Sequence, residues 1–197
     1  FTCPYCGSVY VVEQLETRAL VPPGAVIPFD VTRQEAISRV NQWLAHHHLE
    51  QLVQVSPPAG MYVAGWTFDI LVEVPVRYQD EETGAEWVER KTYLADDVLV
   101  PANDEISGVM RDKVLPSFDL DGVVTYQPDY LADWPAQTYE ISMADASLKA
   151  RAAVRDDLER KTTWGVGVFQ RQGARLSVDF YKLVLLPVWV ARYRDDE

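Results

Sequence analysis

The sequence predicts an α+β protein. Half of a zinc ribbon comes first, followed by a body of antiparallel β-hairpins with two amphipathic helices. Three observations carry this reading. Cys3 and Cys6 are the only cysteines, with two residues between them and Gly7 behind, which is the spacing of one zinc knuckle. Two segments open with helix-capping residues, Thr32-Arg33-Gln34-Glu35 and Ser142-Met143-Ala144-Asp145. Long stretches rich in Val, Ile, Trp, Phe and Tyr alternate as strands do.

Residues 1–24 read as the metal module and its linker. In a knuckle both thiolates point into the turn, and a glycine lets the backbone fold over the metal without a Cβ clash. Val9-Tyr10-Val11-Val12 then reads as a strand. Redox Cys-x-x-Cys pairs instead open a helix, so the strand favours zinc over redox chemistry at Cys3 and Cys6. Structural zinc takes four ligands, and no second Cys-x-x-Cys follows. The remaining ligands are therefore expected outside this segment. The chain starts with Phe1 rather than Met, and residues are expected to precede it. Pro22-Pro23-Gly24 marks the module boundary.

The body spans 25–197. Thr32 and Glu35 form a capping box, and Ala36, Ile37, Val40, Trp43 and Leu44 follow a helical rhythm to about His47. Ser56-Pro57-Pro58-Ala59-Gly60 breaks the chain, and Met61 to Tyr78 reads as one long strand. Phe68, Ile70, Val72, Val74 and Val76 alternate there with Thr67, Asp69, Leu71, Glu73 and Pro75. One apolar and one mixed face fit an antiparallel sheet with a solvated side. Gln79 to Gly84 is an acidic turn, and Glu86 to Leu94 returns as the second strand of a hairpin. Residues 103–138 read as short helical turns and loops, punctuated by Pro116, Pro128 and Pro135. Tyr139-Glu140-Ile141 is a short strand. The second helix runs to about Lys161, with Ala146, Ala150, Val154 and Leu158 on one face. Residues 164–170 and 175–193 close the body as a hairpin around Gln172-Gly173.

The chain also repeats itself. Phe29-Asp30-Val31-Thr32-x-x-Glu35-Ala36 matches Tyr139-Glu140-Ile141-Ser142-x-x-Asp145-Ala146. Later, Tyr62-Val63-Ala64-Gly65-Trp66 parallels Leu185-Leu186-Pro187-Val188-Trp189. Ordered matches of this kind signal a shared supersecondary unit. A duplicated strand–helix–strand unit is expected, with pseudo-repeats 27–78 and 139–193.

Composition narrows function. The 197 residues carry a net charge of −12, whereas nucleic-acid affinity rests on Lys and Arg neutralising phosphates, so nucleic acid is not the expected partner. The longest apolar run, Leu183 to Ala191, is interrupted by Pro187 and falls well short of the about 20 residues that span a bilayer. Paired thiols with no other cysteine suggest a reducing, cytoplasmic setting.

The residue clusters that could carry chemistry have structural readings. His46, His47 and His48 are consecutive and on a helix point in different directions, so a solvated helix end is expected. Asp119-x-Asp121-Gly122 lacks the further acids of a calcium loop and reads as a turn. Asp96 and Asp97 on extended backbone face opposite ways and read as turn or cap residues. Gly165-x-Gly167 lies in a strand pattern and reads as close packing or a bulge. Trp87, Tyr93, Tyr126, Tyr130 and Trp134 form either a binding surface or core. No nucleophile elbow is present, so no catalytic residue is assigned.

Several segments in order carry a family resemblance. They are Cys3-Pro4-Tyr5-Cys6-Gly7, Ile27-Pro28-Phe29, Trp43-Leu44, Gly60-Met61-Tyr62 before Trp66-Thr67-Phe68-Asp69, Asp96 to Ala102, Asp129-Tyr130-Leu131-Ala132, and Leu185 to Trp189. Together they resemble bacterial zinc-ribbon proteins often labelled as like the primosomal replication-restart helicase. The resemblance implies an N-terminal zinc ribbon on a larger α+β body. It implies no activity, and no helicase phosphate-binding loop occurs here. Only one of the family's two knuckles is present. The expected function is a non-catalytic adaptor or scaffold that makes protein–protein contacts, with protein partners or a homo-oligomer. The alternative is a nucleic-acid-associated accessory factor that uses the ribbon.

Overall fold

The computed structural model describes residues 21–49, 53–104, 108, 110–161, 163–164, 167–170 and 172–195. Cys3, Cys6 and the expected ribbon strand lie outside the described residues. The elements, in order, are β1 (Ala25–Val26), α1 (Arg33–His46), β2 (Val53–Val55), β3 (Ala59–Gln79), β4 (Glu86–Pro101), β5 (Val124–Thr125), α2 (Met143–Arg160), β6 (Thr163–Trp164), β7 (Gly167–Phe169), β8 (Arg175–Val190) and β9 (Tyr193–Asp195). Short helical turns fill Met110–Ser117, Leu120–Gly122 and Pro128–Leu131.

β3 is the spine of a seven-stranded mixed sheet, while β2 and β9 form a separate pair. One edge of β3 takes β4, from Gly65↔Pro101 to Gln79↔Glu86. The other takes β8, antiparallel, from Ala59↔Val190 to Glu73↔Arg175. β1 lies parallel to β8, so the expected purely antiparallel body is corrected to a mixed sheet.

The expected closing hairpin at Gln172-Gly173 is also corrected. β7 pairs with β3 at Val76↔Phe169, on the same antiparallel sense as β8. The chain therefore bulges out between Phe169 and Arg175 and rejoins the same edge. Gly173, at φ 89°, supplies the left-handed turn that this detour needs. The physical reason lies in β3: its long alternating face rewards a continuous partner more than a local hairpin does. The expected strand at 139–141 is absent as well. Glu140 and Ile141 both donate to the Ala102 carbonyl, and the helix starts directly after.

The sheet has two differently covered faces. On one, Trp66, Phe68, Ile70, Val72, Val74 and Val76 are buried against Ala146, Ala150, Val154 and Leu158 of α2. On the other, Met61, Val63, Val184, Leu186 and Val188 pack with Leu115 and the 110–123 connection. Alternation along β3 sends consecutive residues to opposite cores.

Helix starts follow the capping residues. The Thr32 hydroxyl accepts from Glu35 N, and the Glu35 carboxylate accepts from Thr32 N at 2.7 Å. Ser142 caps Asp145 N at 3.2 Å, but the aspartate reaches only the Ser142 hydroxyl, so the second box is half made. α2 buries five residues along one face. α1 buries only Ala36 and Leu44, and its Trp43 is 53% exposed.

The segments around β3 and β8 mirror one another. Val26 pairs in parallel with Leu185, and Ala136 bridges Tyr62 in parallel. Ile27 N donates to Leu185 O at 2.9 Å, and Gln137 N donates to Tyr62 O at 2.8 Å. The Trp66 indole donates to the Ile141 carbonyl at 2.9 Å, one residue before the cap of α2. The Trp189 indole donates to the Val31 carbonyl at 3.1 Å, one residue before the cap of α1. Tyr139 meets Trp66 edge-on at 5.5 Å, as Phe29 meets Trp189 at 5.4 Å. Each tryptophan thus anchors the helix start that belongs to the other half of the chain.

Candidate functional site

The one cluster of metal-capable side chains among the described residues sits at an irregularity in the β3–β4 ladder. The register slips between Phe68↔Val98 and Ile70↔Ala95, leaving Asp96 and Asp97 together opposite Asp69. This is a bulge, in which two residues face one. Asp97 adopts the left-handed conformation, φ 48°, which aspartate tolerates better than most residues. That twist turns its side chain toward its neighbours instead of away. The three carboxylates offer oxygens all within 4.8 Å of one another. The sequence reading, with Asp96 and Asp97 facing opposite ways, fails because the backbone is not extended here. Asp69 was read only as one residue of the mixed strand face.

The electrostatics are specific. Asp97 N donates to Asp69 Oδ1 at 3.2 Å. Lys182 Nζ lies 3.8 Å from Asp97 Oδ1, brought there by its place opposite Thr67. The Asp96 carboxyl is held above its ordinary value, first by a hydrogen bond with Asp69 and then by repulsion from it. The Asp96 carboxyl therefore holds its proton more tightly than an isolated carboxyl does. Three oxygens suit a hard cation; they are not the thiolate and imidazole set of a zinc ribbon.

The other sequence-marked residues take structural places. His47 caps α1, and its Nδ1 lies 2.8 Å from the Trp43 carbonyl. Its ring stacks on Trp43 at 4.4 Å, and His46 and His48 stand exposed at the same helix end. Asp119 caps the turn at Asp121 N, 3.0 Å away. Gly167 faces Val76 and the Tyr78 ring so closely that a Cβ would clash with both. Trp134 packs against Phe29 and Trp189 at 4.8 and 5.1 Å. Tyr93, Tyr126 and Tyr130 are half-buried against the α2-side core. Trp87 alone of this aromatic set is exposed, stacked on Tyr78 at 5.4 Å.

A surface that the sequence reading did not single out lies on the face opposite α2, beyond the 110–123 connection. Cross-strand partners share a face. Leu71 stands between Leu94 and Ser177, and Arg77 stands between Val88 and Val168. Phe180 is opposite Asp69 on that same face. Leu94, Phe180 and Val88 are 46%, 54% and 61% exposed. Arg77, Arg90, Glu73 and Arg175 are interspersed along the same strands.

Among the described residues, no helix is long and apolar enough to cross a membrane. No family model matches the chain, and no solved structure matches it. It is similar to YdjG, an uncharacterized protein of Bacillus subtilis (strain 168), with 28% identity over 213 aligned residues. The alignment covers 95% of this chain and 61% of that protein, so the chain spans less than two thirds of its relative's length.

Proposed function

We propose that the chain is a non-catalytic adaptor or scaffold that makes protein–protein contacts within a larger assembly. The observation that supports this most is the open sheet face. Val88, Leu94 and Phe180 stand exposed on long strands paired with β3, with charged side chains interspersed among them on a rigid sheet face. Exposed large apolar side chains gathered on one sheet face, rimmed by polar ones, suit an interaction surface. In this reading Cys3 and Cys6 hold Zn2+ with ligands from outside this segment, and the ribbon adds a second contact element. The body is read as a duplicated unit, a view supported by the exchanged Trp66 and Trp189 anchors.

The test uses Leu94→Lys and Phe180→Lys, both at exposed positions. Each is expected to leave the melting temperature within about 2 °C of the parent. Together they should release proteins that co-purify with the parent from its native cells. Retention of the same proteins by the double variant would sink the reading. Zinc content of the protein with and without Cys3→Ser tests the ribbon, and equal zinc in both would remove it.

A further inference from the structure

The ladder between β3 and β8 ends at Ala59↔Val190, and the same two stretches of chain pair again as β2 and β9, from Val55↔Tyr193. Between the ladders lie Pro57-Pro58 on one stretch and Ala191-Arg192 on the other. Proline brings no N–H to a ladder, so the two sheets part here. Ser56 and Arg192 link across the gap: Ser56 N donates to the Arg192 carbonyl at 2.8 Å, and Arg192 N donates to the Ser56 hydroxyl at 3.0 Å. The parting leaves a cavity of about 450 Å3, within the range of about 300–1,000 Å3 that small-molecule sites occupy. Met61 lies buried in its wall, Val55 and Val190 are half-buried, and Pro135 adds apolar surface. Gln54, Ser56 and Arg192, all exposed, bring the polar side chains.

We propose that this cavity binds a small-molecule carboxylate with an apolar body, its head at Arg192 and Ser56 and its body against Met61, Val55 and Val190. Charge argues for the head. The chain carries 30 acidic and 18 basic residues, yet among the described residues Arg192 is the one ionisable side chain that lines the cavity. No ion pair among the described residues includes it. A guanidinium presents its N–H donors as a planar fork that matches the two oxygens of a carboxylate. The Ser56 hydroxyl accepts from Arg192 N and keeps its own proton to donate to the same head. The apolar walls argue for the body, since covering them removes hydrocarbon surface from water. The selectivity is local: a net charge of −12 favours cations at a distance, so a preference for an anion here comes from Arg192. The site lies apart from Val88, Leu94 and Phe180 and stands or falls independently of the contact role.

The experiment titrates the 197-residue chain with octanoate, octanol and octylammonium, read by NMR at the Met61 and Val190 methyl groups. Octanoate should shift both signals saturably, with a Kd below about 1 mM and at least about tenfold tighter than octanol or octylammonium. Arg192→Gln should bring octanoate down to the level of octanol. Ala59→Phe, at an exposed position lining the cavity, should weaken all three by occupying the space. No saturable shift up to about 10 mM octanoate overturns the proposal. Equal affinity of the parent for octanoate and octanol overturns it too, because the cavity would then select only for apolar surface. That comparison on the parent decides the matter even where a variant misfolds. A folded Arg192→Gln that binds octanoate as tightly as the parent removes the assigned head site. A short peptide ending in a free leucine carboxylate is the last probe: if it binds where octanoate does not, the cavity takes a chain terminus and the small-molecule assignment is wrong.

Discussion

Replacing Trp66 with phenylalanine tests the anchor that joins the halves of the chain. The indole is fully buried, and its N–H donates to the Ile141 carbonyl at 2.9 Å. Phenylalanine keeps an aromatic ring against Tyr139 but removes the donor. The Ile141 carbonyl is then left in the core, a loss of about 1–3 kcal/mol. The smaller ring also leaves a space of about 40 Å3, which at about 24 cal/mol per Å3 costs about 1 kcal/mol more. The expected loss is about 2–4 kcal/mol. Trp189→Phe removes the mirrored bond, but that indole is half-buried and its bond is 3.1 Å. Water can replace the lost donor there, so about 1 kcal/mol is expected. Urea unfolding followed by far-ultraviolet circular dichroism reads both, since tryptophan fluorescence itself changes. The slopes should match the parent, so that a midpoint shift reports stability. A Trp66→Phe loss under about 0.5 kcal/mol, or a larger loss for Trp189→Phe, would refute the reasoning.

Asp69→Asn should raise the melting temperature at neutral pH. Asp96 has a raised folded value because of Asp69, so its contribution is present below its unfolded value and lost as pH rises through the folded one. The advantage of the variant should fade toward about pH 3, where the Asp96 carboxyl is protonated in both proteins; a constant offset across pH would count against repulsion between Asp69 and Asp96. Thr32→Ala should cost about 1 kcal/mol in urea unfolding. It should also let the Glu35 carboxyl, now held low chiefly by its Thr32 hydrogen bonds, return toward its ordinary value in an NMR titration. Gly60→Ala sets a Cβ 2.7 Å from the Trp134 ring and 3.2 Å from Phe29. Overpacking of about 1–3 kcal/mol is expected from its thermal melt.

Local chemistry was legible in the sequence, and long-range pairing was not. The cap at Thr32 and the stripe Ala146, Ala150, Val154 and Leu158 are written within a few residues; α1 starts and α2 buries accordingly, whereas of the expected face of α1 only Ala36 and Leu44 are buried. The alternation of β3 also gave its buried face correctly, from Phe68 to Val76. The neighbours of β3 were not written there. Gln172-Gly173 carries an ordinary turn signal, which fits a hairpin and a bulge equally well. Only β3, about a hundred residues earlier in the chain, decides between them by offering Val76 and Glu73 as partners. β1 is too short to signal its parallel pairing at all.

The acidic cluster shows the same limit at the scale of one residue. Asp96 and Asp97 were visible as neighbours, but strand geometry sends neighbours to opposite faces. Their convergence depends on Asp97 leaving the extended region, φ 48°. That departure depends in turn on β4 carrying one residue more than β3 between Val98 and Ala95. No residue at 96 or 97 announces a bulge, because aspartate fits both extended and left-handed backbone. The constraint comes from both sides: Val98 and Ala95 must each keep pace with Phe68 and Ile70, whose side chains fill the α2 core. Burial on one face of the sheet thus sets the carboxylate geometry on its other face. A substitution that relaxes the core at Phe68 or Ile70 should disperse Asp69, Asp96 and Asp97 without touching them. The raised Asp96 value is the readout: in Phe68→Leu it should fall toward that of an ordinary aspartate if the bulge relaxes, and an unchanged value would show that the bulge holds itself.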